Sequence, residues 1–403
     1  MRVENYTHFG GTHYESANLK NLMAWAGAAN PLTGQPFTEA ECMGIAGGIA
    51  AGYQWCPSIP GYDIGSGVSV IALVKRYSTN GAWYRDFFSR LGIAVDVRET
   101  GGAKAALANL REPLEQGRPV VAWCSPTRVC PIASWNATCG MYSVVVHSLD
   151  EAAAKASYGD HAATSHTIPL DDLMWSRNRV CSLKNRTLSF APPKALTAAA
   201  VKKAYEAGIR ECASDFAKPK LGTFNLPGLE EWTKLIANAK NKRGWLAAFP
   251  GGRIYWALRD AYDGIETAGT GGGLMRHAYA DFLSGAATAL KKPVLAECAA
   301  NYRALAKNWS DFADQLLPDK VKPFARTKRL LRQRATAYTG KGDKAMKDIA
   351  TNAAELSDLN ERLVREFPWD EALTTQHLEA CGQALRGLLY TEQQAAALLG
   401  KAL

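Results

Sequence analysis

A pair of prolines near the middle of the chain separates two stretches with different secondary-structure patterns. The segment Ala191-Pro192-Pro193 fits neither a helix interior nor a sheet interior, because proline lacks a backbone N–H and has a fixed φ. Before it, short apolar runs are typical of buried strands; after Lys194, Ala- and Leu-rich spacing is typical of helices. We therefore predict two domains, residues 1–193 and 194–403, in an α+β protein whose second domain is all-α.

The first half is predicted to begin with helices and to continue with strands. Leu19, Leu22, Met23 and Ala26 draw one apolar stripe along a helix that starts near His13. Glycines in the small-residue segment 44–52 indicate a tight turn or a close backbone approach. Further helices are predicted over 38–46 and 82–91 and at 168–173, and strands over 93–97, 119–123, 142–147 and 186–190.

The second half is predicted to be helical almost throughout. A capping-box pattern, Thr391-Glu392-Gln393-Gln394, predicts the start of the terminal helix. On a preceding helix, Leu356, Leu359 and Leu363 fit either the core or a contact in a homodimer. The other predicted helices cover 202–216, 230–238, 252–262, 273–290 and 294–317.

Positive charge is concentrated in the second half. Residues 1–193 have 16 basic and 15 acidic side chains, whereas residues 194–403 have 31 and 23. Seven of the basic residues lie within 320–334, which fits a solvated helix face or a surface for an acidic carrier protein. Nucleic acid is disfavoured as a partner, because no aromatic residues interleave with these charges to stack on bases.

The remaining composition excludes several classes of protein. No apolar stretch approaches the roughly 18 residues of a membrane span, and the N-terminus lacks the apolar core of a signal peptide, so we expect a cytoplasmic protein. Nine scattered cysteines without a CxxC pair argue against a disulfide framework or a zinc ribbon. Neither a metal nor a cofactor is predicted.

Three motifs resemble a known family. The segment Gly11-Thr12-His13-Tyr14-Glu15-Ser16, followed by an amphipathic helix, resembles the opening of the butirosin biosynthesis protein H family. The small-residue run 47–53 fits the next signature of that family. Residues 269–283, GTGGGLMRHAYADFL, resemble the GTGG…R..YADFL signature of the helical domain that usually follows.

The resemblance implies a papain-like, cysteine-peptidase-like α/β domain at the N-terminus. It also implies an acyltransferase of natural-product biosynthesis that moves an acyl group from a carrier-protein thioester, linked through phosphopantetheine, to a small-molecule amine. In the family, a cysteine at a helix N-terminus is the nucleophile, a strand histidine is the base and an acid orients it. Aligned on these motifs, the cysteine position holds Tyr14, the histidine position holds Tyr142, and the acid corresponds to Asp160.

These replacements leave two interpretations open. Either the active site is lost and the protein binds a carrier protein or a partner enzyme, or a non-cysteine site of Tyr14, Tyr142, His13 and Asp160 acts without a covalent intermediate. A more remote alternative is a migrated nucleophile, Cys42 or Cys56. We expect the Tyr14 hydroxyl to lie within direct or single-water hydrogen-bonding distance of Tyr142.

Other candidate residues lie outside this quartet. For the glycine motif we expect substrate contacts from Gly271, Gly272, Arg276 and Tyr279, with a tight turn as the alternative. His161 and His166 are expected to be solvated loop residues. His147 is expected on the strand face opposite Tyr142.

Overall fold

The computed structural model describes residues 1–55, 66–72, 82–132, 142–219 and 222–403, except for the Cys181 side chain. In its N-terminal half, helix α1 (Tyr14–Trp25) begins at His13, whose Nδ1 accepts the Glu15 N–H at 3.2 Å. Helix α2 (Glu39–Ala46) begins with a capping box formed by Thr38 and Glu41. Because each start has a side-chain cap, both helices begin where the sequence indicates.

Two short hairpins and further helices complete this half around a larger sheet. The hairpins are β1 (Ala29–Asn30) with β2 (Gln35–Pro36), and β3 (Gly52–Trp55) with β4 (Val68–Ile71). The helices are α3 (Ala82–Arg90), α4 (Ala103–Glu115) and α5 (Leu170–Arg179).

A six-stranded antiparallel sheet carries the core of this half. Its strands are β5 (Val95–Arg98), β6 (Val120–Cys124), β7 (Tyr142–Asp150), β8 (Lys155–Gly159), β9 (His166–Pro169) and β10 (Thr187–Phe190), in the order β5-β10-β6-β7-β8-β9. The sequence indicates β5, β6, β7 and β10 but not the hairpin β8–β9. That hairpin extends the sheet beyond β7, and its connection contains Asp160 and His161.

The second half is helical in the residues described. Its α-helices are α6 (Ala198–Ala217), α7 (Asn225–Leu235), α8 (Trp245–Ala248), α9 (Ile254–Glu266), α10 (Arg276–Leu290), α11 (Val294–Leu316), α12 (Lys322–Lys341), α13 (Met346–Arg365) and α14 (Glu371–Lys401). Together with the sheet of the N-terminal half, these helices confirm the α+β class. No described helix has both the length and the apolar character needed to cross a membrane.

The predicted start of the terminal helix is wrong. Helix α14 begins at Asp370, whose carboxylate accepts the Leu373 N–H at 2.8 Å, so Thr391 lies well inside the helix. Its hydroxyl donates to the Leu388 carbonyl at 2.9 Å, and Glu392 is a buried partner of Arg276. Thr391 and Glu392 match a capping box by residue type and spacing only. Inside the long helix each of them has a different partner.

The two halves share one continuous core. Helices α6 and α10 pack against α2, and α9 packs against β4. Gly208 and Gly44 allow the closest of these approaches, because a Cβ on Gly208 would lie 2.0 Å from the Gly44 carbonyl oxygen. The small-residue segment therefore permits close helix packing, and the division of the chain at residue 193 stays a prediction.

Candidate functional site

A cleft lies between the N-terminal half and helices α9 and α12. It consists of two adjoining pockets that share Ile132, His161, Thr267, Gly269 and Ala335. We call it the central cleft. One pocket is lined by Tyr14, Tyr142, Cys130 and Arg334, and the other by Thr12, Gly271, Gly272 and Arg332.

Tyr14 and Tyr142 meet at the inner wall of the central cleft. Their ring centroids are 4.3 Å apart, and His13 stacks on Tyr14 with centroids 4.4 Å apart. Helix α1 is held against β7 at this point, because Asn18 Nδ2 donates to the Ser143 carbonyl at 3.0 Å. The structure therefore brings His13, Tyr14 and Tyr142 together, although the Tyr142 hydroxyl donates to Asp160.

The N-terminus of α1 is occupied by a carboxylate of the protein itself. Glu39 accepts hydrogen bonds from the backbone N–H of Thr12 at 2.9 Å, the N–H of His13 at 2.8 Å and the Ser16 hydroxyl at 2.7 Å. A negative charge at a helix N-terminus interacts favourably with the helix dipole. Glu39 thus occupies the N–H groups and the positive end of the helix dipole that would otherwise stabilise an anion at position 14.

Asp160 is the centre of a buried hydrogen-bond network. Its Oδ2 accepts the Tyr142 hydroxyl and the Tyr338 hydroxyl, each at 2.6 Å, and its Oδ1 accepts the Ala162 N–H at 2.7 Å. Tyr338 comes from α12, so the network joins the two halves of the chain. Sequence reasoning selected Tyr142 and Asp160 but gave no signal for Tyr338, which is distant in sequence.

The network keeps Asp160 ionised. Burial alone raises a carboxyl pKa, but His166, whose Nε2 lies 3.6 Å from Asp160 Oδ1, and the Tyr142 hydroxyl outweigh burial, so the Asp160 pKa lies far below its usual value. Burial and the Asp160 charge raise the pKa of Tyr142 and Tyr338 well above the ordinary tyrosine value. Both phenols are therefore protonated donors.

His161 is buried beside this network and is not solvated, which corrects the expectation from the sequence. Its Nδ1 lies 3.1 Å from the Tyr142 oxygen, whose only proton is donated to Asp160. His161 Nδ1 must then carry a proton and donate it to Tyr142. Among the described residues Nε2 has no hydrogen-bond partner, so it is the ring nitrogen left for a ligand in the central cleft.

Burial determines the charge of His161. It lowers the His161 pKa, and the opposing effects of Asp160 and Glu39 do not fully compensate. At neutral pH the ring is therefore a neutral imidazole with an acceptor nitrogen. A neutral, held imidazole in a cleft has the properties of a general base.

His166 has the opposite charge preference, and it too is buried rather than solvated. Burial lowers its pKa, but hydrogen bonding and charge from Asp160, together with Asp343, outweigh burial and raise it. Its Nε2 lies 2.9 Å from the Tyr338 oxygen, and its Nδ1 lies 2.5 Å from Asp343 Oδ1. His166 Nε2 also lies 3.6 Å from Asp160 Oδ1, so a protonated His166 stabilises the Asp160 charge.

The cysteines provide no activated thiol among the described residues. Cys130 lines the central cleft, but burial and the Asp160 charge raise the pKa of its thiol to about 12. Burial likewise raises the pKa of Cys42 well above its ordinary value. Because the thiolate is the nucleophile, neither side chain is activated. Cys56 and Cys139 lie outside the described residues.

The glycine motif forms a tight turn against the start of α1. Gly271 has φ +67°, and a Cβ there would lie 2.9 Å from Thr12 Cγ2. The Gly273 N–H donates to Glu266 Oε1 at 3.0 Å, and the Gly272 N–H lies 3.3 Å from the Thr270 hydroxyl oxygen. The Gly272 and Gly273 amides are satisfied within the protein, and the turn positions Gly271 and Gly272 at the central cleft.

Arg276 and Tyr279 are not part of the lining of the central cleft, and their role as substrate contacts stays a prediction. Both are fully buried. The Arg276 guanidinium donates to Glu392 Oε1 at 2.8 Å and to the Ala50 carbonyl at 2.6 Å. The arginine of the motif therefore ties α10 to α14 and to the small-residue segment.

Part of the basic stretch 320–334 is paired with acidic side chains of the protein. Lys328 is buried and lies 2.8 Å from both Asp314 and Asp319. Arg326 forms a two-point ion pair with Glu355. The sequence pattern alone suggested a solvated basic face, whereas the folded chain supplies its own counter-charges.

Comparison with known proteins yields two family matches. Residues 13–129 match the model of butirosin biosynthesis protein H, N-terminal, and residues 170–367 match a domain of unknown function, DUF4872. A comparison with curated proteins finds no match. The two models occur here in the order that the motifs indicate, and the family associates the chain with natural-product biosynthesis. The chain belongs to the butirosin biosynthesis protein H-like family.

Proposed function

We propose that this chain is an acyltransferase-like protein that transfers an acyl group from a thioester to a small-molecule amine without a covalent acyl-enzyme. The donor is a carrier-protein thioester or an acylated small molecule bound in the central cleft. One observation carries the proposal: His161 lines both pockets of the central cleft with its Nδ1 3.1 Å from the Tyr142 oxygen, which leaves Nε2 for a ligand, and burial lowers the pKa of the ring.

The proposed step needs only a base and orientation. The amine nitrogen attacks the thioester carbonyl carbon, a C–N bond forms, and the C–S bond breaks. His161 Nε2 takes the proton from the amine and returns it to the leaving sulfur. General base catalysis of this kind contributes about 10²- to 10⁴-fold in rate.

Support for the non-covalent route comes from the missing activated nucleophile among the described residues. Tyr14 occupies the position that the resemblance assigns to cysteine, and the pKa of the neighbouring Tyr142 is raised. Burial also keeps Cys130 in its thiol form. A direct attack by the acceptor amine avoids the need for a thiolate or a phenolate.

The test incubates the protein with acyl N-acetylcysteamine thioesters and a panel of amines. It measures the amount of amide formed and the mass of the intact protein. We expect turnover without a mass increase and a loss of about 10²- to 10⁴-fold in His161→Gln. His147→Gln is the matched control, because His147 is buried beside Ser165 and lies outside the central cleft. An acyl adduct on the protein, or full turnover in His161→Gln, would contradict the proposal.

A second candidate is a non-catalytic relative that binds a carrier protein or a biosynthetic enzyme. The burial of Tyr14 between His13 and Tyr142 favours it, because the ring fills the space beside the start of α1. Binding of carrier thioesters with no turnover across the panel would support this candidate.

A further inference from the structure

Arg334 is a buried cation at the inner end of the central cleft. It lies on α12, and its side chain is only 8% exposed. The same pocket is lined by Tyr14, Tyr142 and His161. Its guanidinium therefore shares the space in which the proposed chemistry occurs.

The charge of Arg334 is poorly compensated by the protein. The nearest acid, Asp263, has its Oδ2 4.0 Å from Arg334 Nη2. That carboxylate also accepts the Thr267 hydroxyl, so its hydrogen-bonding capacity is shared with a second group. In the part of the chain that the structure describes, no side chain or carbonyl accepts a hydrogen bond from Arg334.

Other buried arginines of this protein differ in this respect. Arg177 donates to two backbone carbonyls, at 2.9 and 2.8 Å. Arg259 donates to Asp260 at 2.6 Å and to Asn360 at 2.7 Å, and Arg276 has a carboxylate and two carbonyls. A buried guanidinium has five donors, and leaving them without acceptors is costly. Arg334 thus has donors available for an acceptor other than the described residues of the chain.

We propose that Arg334 binds a free carboxylate on the substrate, so that the acyl group or the acceptor amine carries an acid function. This deepens the proposed function and rests on it for the reaction itself. The planar guanidinium matches a carboxylate with two parallel hydrogen bonds. Ile132, Leu331 and the Tyr14 ring line the same pocket, which favours a short carbon chain carrying that acid.

The test measures binding rather than turnover, by calorimetry with glutarate, uncharged glutaramide and inorganic phosphate. We expect glutarate to bind at least about tenfold more tightly than glutaramide or phosphate. In Arg334→Gln, glutarate affinity should fall about 10- to 100-fold, the value of a charge-assisted hydrogen-bonded contact. Arg326→Gln is the control on the same helix, because its ion pair with Glu355 lies outside the cleft.

A variant of the opposite sign keeps the test valid if Arg334→Gln does not fold. Asp263→Asn removes the competing carboxylate, so glutarate should bind more tightly to it than to the wild type. Unchanged glutarate affinity in Arg334→Gln, weaker affinity in Asp263→Asn, or phosphate binding as tight as glutarate overturns the inference. Glutarate binding without amide formation would remove the proposed function alone, and transfer of uncharged acyl groups without glutarate binding would remove this inference alone.

Discussion

Removal of a single hydroxyl, in Tyr338→Phe, measures how strongly the Asp160 network joins the two halves of the chain. The Tyr338 hydroxyl is buried and donates to Asp160 Oδ2 at 2.6 Å. The phenylalanine ring would keep the stacking on His166, whose ring centroid is 5.5 Å away, so packing changes little. A hydrogen bond to an ionised group contributes about 1.5–3 kcal/mol net. Asp160 retains two donors, Tyr142 and the Ala162 N–H, so we expect a loss of about 2 kcal/mol in the free energy of unfolding.

Urea unfolding at pH 7, followed by tryptophan fluorescence, gives this free energy. Tyr390→Phe is the matched control, since Tyr390 is 62% exposed and has no hydrogen-bond partner among the described residues. A surface change of this kind alters stability by less than about 0.5 kcal/mol. If Tyr338→Phe is as stable as Tyr390→Phe, then Tyr338 does not stabilise the Asp160 carboxylate and the reasoning is refuted.

Three further predictions concern other parts of the site. His166 has a raised pKa in the folded state, so its contribution to the free energy of unfolding should be greatest below about pH 6.5 and decline as pH rises through that raised pKa. Urea unfolding of the wild type and His166→Gln at several pH values measures this contribution. A difference that does not change with pH would contradict the pairing of His166 with Asp160. Gly271→Ala places a Cβ 2.9 Å from Thr12 Cγ2 at positive φ, so thermal unfolding should show a loss of at least about 1 kcal/mol; wild-type stability would contradict the tight turn. Cys130 should react with iodoacetamide far more slowly in the folded protein than in urea at pH 7.5, and equal rates by peptide mass spectrometry would contradict its burial.

Local sequence patterns predicted much of the secondary structure. The starts of α1 and α2 could be predicted from the sequence, because the cap at His13 and the capping box at Thr38 involve only residues that are close in sequence. The buried run of β6 and the start of β7 are apolar enough to identify without tertiary information. The hairpin β8–β9 was missed, since Lys155–Gly159 has weak β propensity and is stabilised by pairing with β7.

The site was only partly accessible from the sequence. Family motifs led to Tyr14, Tyr142 and Asp160, which do lie together. His161 resembled a solvated loop residue because nothing local in the sequence shows that Tyr338 of α12 packs against it. The positive charges of Lys328 and Arg334 resembled a solvated face, because their acids lie on α11, on the loop that follows it and on α9. Long-range contacts decide these assignments, and no spacing rule describes them.

The protonation state of the His161 ring tests the account most directly. Nitrogen-15 NMR of the histidine-labelled protein at pH 7, assigned with His161→Gln, distinguishes the two neutral tautomers from imidazolium. We expect a neutral ring protonated on Nδ1, with Nε2 unprotonated, because Tyr142 accepts the Nδ1 proton while donating to Asp160. An imidazolium, or a ring protonated on Nε2, would contradict the assignment of His161 as the base of the central cleft.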